Sequence, residues 1–319
     1  MNRNVLSRRV LVGTTVAALA LVGCSSTNGG SGTGGGDQLS GTVSVDGSST
    51  VAPLSEAAAT LYAEVQSGVN VSVGTSGTGG GFEKFCNGET DISDASRPIK
   101  DKEKAACAAA GVTFVELVVA NDALTVVANK DNAFLDCLTT DQLKKIWEPN
   151  SAVKTWNQVD PSFPAEPVAL FGPGTDSGTF DYFTDEINGE EGASRTDYTA
   201  SENDNVLVQG ISGSKNGLGY FGFTYFEENA DKLKAVKIDS GSGCVEPSKD
   251  NVLNGTYKPL SRQLFIYVSD TGARKPQVAD FVDFYIKNID DIAKEAKYIP
   301  LSEEQKTTLQ SEFATLPKS

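Results

Sequence analysis

Phe171-Gly172-Pro173-Gly174-Thr175-Asp176-Ser177-Gly178-Thr179-Phe180-Asp181-Tyr182-Phe183 reads as a loop that opens a helix. Gly172, Pro173 and Gly174 break the strand-like run 168–171, Asp176 or Ser177 can cap, and Phe180 and Phe183 fall on one helical face. Free N–H groups at a helix start, the positive end of the dipole and the hydroxyls of Ser177 and Thr179 together suit an oxyanion. An ordinary capped helix would carry the same residues, so the reading depends on partners elsewhere in the chain.

Two earlier stretches repeat the design of strand, small hydroxylated loop and helix start. Asp46-Gly47-Ser48-Ser49-Thr50-Val51-Ala52-Pro53 follows the alternating run 42–45 and precedes a helical stretch over 54–66. Gly74-Thr75-Ser76-Gly77-Thr78-Gly79-Gly80-Gly81 follows the alternating strand 69–73 and precedes a short helix expected from Phe82. A third segment, 89–99, reads as a short strand leading out to Ser96-Arg97, with Pro98 keeping the chain extended before a helix over 101–109. That strand end would set Arg97 beside both loops, although a plain surface arginine fits the same sequence. Three loops of this kind could meet on one tetrahedral ligand through many neutral donors.

Composition narrows the chemistry. The 319 residues carry 27 basic against 42 acidic side chains, a net charge of −15, which argues against nucleic acid as a partner. An acidic chain holding an anion requires local dipoles and hydrogen bonds rather than long-range attraction, which salt would screen. Histidine is absent, which removes Ser-His-Asp and Cys-His catalysis and imidazole-bound zinc; neither a metal nor a cofactor is expected. Of five cysteines, Cys24 stands apart, and Cys86, Cys107, Cys137 and Cys244 form an even set consistent with two disulfides in an exported protein. Three connectivities are open; Cys86 with Cys107 and Cys137 with Cys244 would each stay within one lobe.

Residues 1–23 have the pattern of an export signal, with Arg3, Arg8 and Arg9 before the apolar run 10–22. The apolar run is short for a bilayer span, and Leu21-Val22-Gly23-Cys24 resembles a bacterial lipobox, which implies cleavage before Cys24 and lipid on it. Cleavage removes three arginines and no acid, taking the net charge from −15 to −18. Residues 24–40 then read as a lipidated cysteine and a flexible Gly/Ser tether.

The folded part is expected to be α/β with two lobes. The apolar, β-branched run 112–129 suits buried strands, and a second such run, 262–268, lies late in the chain. Read as two crossings, they assign 41–125 and 262–319 to a first lobe and 126–261 to a second. Helices are expected over 140–147, 201–210, 276–289 and 302–316, and a strand over 217–223 whose glycines serve packing.

The ordered set of loops resembles the phosphate-binding (PstS-like) proteins of the bacterial phosphate-specific ABC importer. It is carried by Gly47-Ser48-Ser49-Thr50-Val51, Ser76-Gly77-Thr78-Gly79-Gly80-Gly81, Asp91-Ile92-Ser93-Asp94-Ala95-Ser96-Arg97-Pro98-Ile99 and Gly174-Thr175-Asp176-Ser177-Gly178-Thr179-Phe180, and covers the chain from about residue 41 onward. The resemblance implies a type II periplasmic-binding-protein fold with two crossover hinges, and a monomeric, membrane-anchored lipoprotein outside the cytoplasm. It further implies inorganic phosphate held between lobes that close by hinge motion at 115–127 and 262–268, and delivery to a permease pair with an ATPase, without catalysis.

Residue by residue, Thr50 and Val51 match the family's first contact pair, with Ser49 adjacent. Thr78 matches the serine of the second loop, and Ser177, Gly178 and Thr179 match the helix-start triplet. Two departures stand out: Pro173 occupies the place of the family's arginine and Ser96 that of its aspartate, which makes Arg97 the candidate guanidinium. A carboxylate that accepts the proton of phosphate while repelling sulfate is expected among Asp94, Asp176 and Asp204, with Asp176 favoured. The rival readings are a binder of sulfate, molybdate or a phosphonate, a phosphatase with Ser49 or Ser177 as nucleophile, and a structural adhesin.

Overall fold

A computed structural model describes residues 38–317 apart from 176 and 202. The expected export segment, Cys24 and most of the Gly/Ser tether therefore lie outside the described residues, as does Asp176. Among the described residues no helix is long and apolar enough to cross a membrane.

In chain order the elements are β1 (Gly41–Gly47), α1 (Ala52–Ala63), β2 (Val69–Gly74), α2 (Gly77–Cys86), β3 (Ile92–Ala95), α3 (Asp101–Ala109) and β4 (Phe114–Asn129). There follow β5 (Cys137–Thr139), α4 (Thr140–Trp147), β6 (Ala169–Gly172), α5 (Gly178–Phe183), β7 (Thr199–Ala200), α6 (Asp204–Gly213) and β8 (Gly217–Gly222). Next come α7 (Phe223–Glu228), β9 (Leu233–Ala235), β10 (Lys237–Asp239), β11 (Cys244–Val245), α8 (Lys249–Leu253) and β12 (Ser261–Ser269). The chain closes with α9 (Asp270–Ala273), α10 (Pro276–Lys287), α11 (Ile289–Glu295) and α12 (Glu303–Phe313).

Nine strands form one sheet in the order β2-β1-β3-β12-β4-β8-β6-β7, with β9 also on β4, and β11-β10-β5 form a small second sheet. β1 pairs in parallel with β2 and β3, with Asp46 beside Gly74 and Gly47 beside Asp94. That register brings the hydroxylated loops and the Ser96-Arg97 segment out at the same carboxyl edge, where open α/β sheets take their ligands.

The run 112–129 folds as one strand, not as successive strands. Its first part pairs with β12 from Phe114 to Ala123, and its last part pairs with β8 from Leu124 to Ala128. Asn121 and Asp122 interrupt the apolar pattern but stay in the ladder opposite Gln263 and Arg262, so the strand passes from one half of the sheet to the other. The cores follow this division. One apolar cluster draws on β1, α1, α10 and α11 and includes Ala120 and Leu264. Another includes Ala123, Trp147, Tyr182, Phe183, Tyr220 and Leu260. The packing therefore changes over between Ala120 and Ala123 on β4 and between Leu260 and Leu264 at β12.

The second loop departs from expectation. α2 starts at Gly77, not Phe82, so Thr78 and four glycines lie within its first turns. Isolated glycine costs about 1 kcal/mol in a helix, but here close packing demands it: a Cβ on Gly81 would stand 2.5 Å from the Cα of Gly47. Asp46 fixes this junction, accepting from the Ser76 N–H at 3.1 Å and from Lys84 Nζ at 2.6 Å. Burial raises the Asp46 carboxyl, but the bonds from Lys84 and Ser76 outweigh it and hold the group below its ordinary range.

Of the three possible cysteine connectivities the structure has Cys86–Cys107, which ties α2 to α3, and Cys137–Cys244, which ties β5 to β11.

Candidate functional site

The carboxyl edge of the sheet faces a cleft of about 510 Å³. Ser48, Ser49 and Thr50 line it from the loop after β1, Ser76, Gly77, Thr78 and Gly79 from the start of α2, and Ser96, Arg97, Pro98 and Lys100 from the segment after β3. The opposite wall is Gly178, Asp181 and Tyr182 of α5 with Asp185, Glu186 and Glu191, and Arg262 closes the floor with Gln263 and Phe265. The structure thus brings together Ser49, Thr50, Thr78, Ser96, Arg97 and Gly178 of the residues singled out above.

The hydroxyls on the first wall are knit together. Thr78 Oγ1 lies 3.1 Å from Ser96 Oγ and accepts from the Ser96 N–H at 3.2 Å, which joins α2 to the end of β3. Thr50 N–H donates to Ser48 Oγ at 3.2 Å, and Tyr298 Oη donates to the Thr50 carbonyl at 2.7 Å. The first-turn N–H groups of α2 have no acceptor within their own helix.

Three expected contacts stand elsewhere. Val51 has its side chain in the first core and its N–H bonded to the Ser48 carbonyl at 3.1 Å. Ser177 caps α5, its Oγ accepting from the Thr179 N–H at 3.2 Å. Thr179 borders a neighbouring hollow with Asp122, Asp204 and Tyr298 rather than the main cleft. Gly178 approaches the first loop closely across the cleft: a Cβ there would lie 2.4 Å from Thr50 Oγ1 and 3.1 Å from Ser49 Oγ.

Arg97 borders the cleft, but three of its five N–H donors are engaged away from it. Nη1 and Nη2 donate to the two carboxylate oxygens of Glu103 at 2.9 and 2.8 Å, and Nη1 also donates to the Pro98 carbonyl at 3.1 Å. Burial raises Glu103, yet the bonds from Arg97 and the Lys100 N–H hold it below the ordinary range.

A second guanidinium, Arg262, reads from sequence only as part of a crossing strand. Its Nε donates to Asp122 Oδ2 at 3.2 Å, its Nη2 donates to Thr50 Oγ1 at 3.0 Å, and its Cζ lies 3.6 Å from the centre of the Tyr182 ring. One sequence signal could have revealed it: each long apolar run carries a single opposite charge near its changeover, Asp122 in one and Arg262 in the other, and β4 and β12 pair these two residues directly.

The carboxylates divide by burial. Asp181 lines the cleft half-buried, and burial, followed by the nearby Glu191, pushes it up to about 6 against the pull of Arg262. Glu186 is raised by burial and by Asp185, again opposed by Arg262. Asp204 borders the neighbouring hollow. Asp94 does not line the cleft. It lies fully buried beneath the first loop, its carbonyl accepting from the Ser48 N–H at 2.9 Å and its Oδ1 from Ser55 Oγ at 2.9 Å.

Burial pushes the Asp94 carboxyl up to about 8; the Ser55 hydrogen bond opposes this, and the negative charges of Asp46 and Glu56 add to it. An unfolded chain releases this proton near pH ~4, so between there and about pH 8 the folded protein holds one proton more than the unfolded chain. Asp94 therefore makes stability fall as pH rises through that window. Thermal melting of the wild type and Asp94→Asn at pH 5 and pH 8 is expected to show a smaller pH-dependent drop in the variant; parallel profiles would refute the assignment.

Among the described residues no group of three or more Cys, Asp or Glu side chains is arranged to hold a metal ion.

Comparison with known proteins agrees with this architecture. The sequence profile of the PBP superfamily domain matches residues 32–288. Protein SphX of Synechococcus elongatus is 50% identical over 274 residues, covering 85% of this chain and 81% of its own. The phosphate-binding protein PstS of Staphylococcus haemolyticus is 41% identical over 315 residues, covering 97% and 96%. The crystal structure of a possible phosphate binding protein from Planctomyces limnophilus superposes with a TM-score of 0.84 at 49% identity, over 88% of this chain and all (100%) of that one. The two-lobed sheet with its paired crossings is the type II periplasmic-binding-protein fold, and the chain belongs to the PBP superfamily and, within it, to the PstS-like phosphate-binding proteins.

Proposed function

We propose that this protein captures inorganic phosphate in the cleft between its two cores and hands it to an ABC importer of two permease chains and an ATPase. The observation that carries the reading is the convergence of the Ser49, Thr50, Thr78 and Ser96 hydroxyls with Gly178 on one cleft, in a chain of this family. Proteins of this family bind a substrate and are not enzymes. Capture outside the cytoplasm, by a monomer held to the membrane through lipid on Cys24, belongs to the same proposal and rests on the signal-like segment and lipobox. The changeover points on β4 and β12 would serve as the hinge.

Phosphate differs from sulfate by the proton it still carries near neutral pH, and a carboxylate in the cleft rewards that proton and repels a fully ionised anion. Asp181 is placed for this role. Burial pushes its carboxyl up to about 6, so above that pH it is an anion that accepts the phosphate proton and repels sulfate, and below it the neutral carboxyl no longer repels sulfate and can donate its own O–H. Calorimetric titration of ligand-stripped protein is expected to give one-to-one phosphate binding at pH 7.5 with no sulfate binding, and measurable sulfate binding at pH 5. Asp181→Asn should admit sulfate already at pH 7.5. Absence of phosphate binding would sink the functional reading, and sulfate exclusion that survives both low pH and Asp181→Asn would remove Asp181 from it.

A further inference from the structure

The anion site lacks the arginine that the resemblance places at position 173, and Arg97 has the end of its fork held by both carboxylate oxygens of Glu103, with three of its five N–H donors engaged there and at Pro98. We infer, resting on the phosphate reading above, that Arg262 supplies the guanidinium that contacts the bound anion, with Asp122 and Tyr182 as its positioning residues. Three observations carry this. Arg262 lies on the cleft floor and already donates to Thr50 Oγ1 at 3.0 Å, a hydroxyl of the first loop. Its Nη1 has no hydrogen-bond partner among the described residues, so one donor group remains for a ligand. The plane of the fork is fixed, with Asp122 on the Nε side at 3.2 Å and the Tyr182 ring beneath Cζ at 3.6 Å.

The electrostatics fit a small anion in an acidic chain. Asp122 is buried, which raises its carboxyl, and the Arg262 guanidinium opposes that rise. The pair is close to neutral as seen from a distance, so it adds little long-range attraction, while the Nη edge stays available for short, charge-assisted bonds. The location adds a mechanical consequence. Arg262 and Asp122 face each other where the packing changes from one core to the other, whereas Tyr182 belongs to the second core. An anion on Arg262 therefore bears on the first loop, both crossings and the second wall at once, which couples occupancy to closure.

The test compares Arg262→Lys, Arg262→Gln and Arg97→Gln by calorimetric titration with inorganic phosphate, with thermal melting of the ligand-free proteins alongside. Arg262→Gln is expected to lose at least about 30-fold in affinity, the scale for removing one partner of a buried charged hydrogen bond. Arg262→Lys, which keeps the charge and loses the fork, should lose about 10-fold with little change in melting, and Arg97→Gln should stay within about threefold of wild type whatever its melting temperature.

A readout independent of any variant is arginine modification by phenylglyoxal followed by peptide mass mapping. Phosphate should protect Arg262, whose side chain is 16% exposed, and leave the 29% exposed Arg97 as reactive as before. Wild-type phosphate binding with unaltered affinity in Arg262→Lys, or protection of Arg97 in place of Arg262, overturns the inference alone. No phosphate binding by the wild type overturns the functional reading and this inference with it.

Discussion

Gly178→Ala is expected to weaken phosphate binding by about 100-fold or more, close to 3 kcal/mol, while leaving the ligand-free fold at least as stable as before. The two halves of this result have separate causes. Gly178 begins α5, and alanine in place of glycine in a helix favours the helix by up to about 1 kcal/mol, so local structure gains. Across the cleft the sign reverses. The new Cβ would stand 2.4 Å from Thr50 Oγ1, 3.0 Å from the Thr50 backbone nitrogen and 3.1 Å from Ser49 Oγ. Thr50 cannot withdraw cheaply, because its carbonyl accepts from Tyr298, its Oγ1 from Arg262 and its N–H is bonded to Ser48. The walls must then part, and every donor that reaches the anion from both sides loses distance together. Titration with phosphate and melting of the free protein separate the effects. Wild-type affinity in Gly178→Ala would mean that the walls need not meet for capture, and the closure argument would fail with it.

The local parts of this site were legible in the sequence because each is a short-range pattern. Alternating runs ending in Gly, Ser and Thr specify a strand and its end, and β1, β2 and β3 lie where the runs place them. The start of α2 was not legible, because glycine signals a loop by propensity while the close approach of Gly81 to Gly47 is a tertiary fact that overrides it. The continuity of β4 escaped for a related reason: a long, largely apolar run does not say that its partners change midway.

The arginines show the same limit more sharply. Arg97 is adjacent in sequence to the loop residues and was the natural candidate, yet Glu103, six positions on, occupies its fork. Arg262 is 212 positions from Thr50 and meets it only through the sheet. Ser177 likewise has the right chemistry for an anion contact, and in the structure its oxygen caps its own helix.

Loss of the Cys137–Cys244 bridge is expected to cost more stability than loss of Cys86–Cys107, although the bridged segments suggest the opposite. Cys86 and Cys107 are buried and join two packed helices, whereas Cys244 is exposed on a two-residue strand. Loop length decides otherwise. The cross-links span 107 and 21 residues, and chain-entropy arguments assign about 4.7 kcal/mol to a loop of that greater length and somewhat over 3 kcal/mol to the shorter. Packing adds to the difference, because β11 is short and pairs with β10 only at Ile238–Val245 and Asp239–Cys244. Chemical denaturation of the two double Cys→Ser variants measures both losses, and an equal or smaller loss for Cys137→Ser/Cys244→Ser would show that the unfolded chain is not constrained as the entropy argument requires. Neither bridge borders the cleft, so phosphate affinity at temperatures well below melting should be unchanged in both variants. A fall in affinity confined to Cys137→Ser/Cys244→Ser would instead mean that the small β5-β10-β11 sheet holds the second wall in place, and that stability and capture share one support.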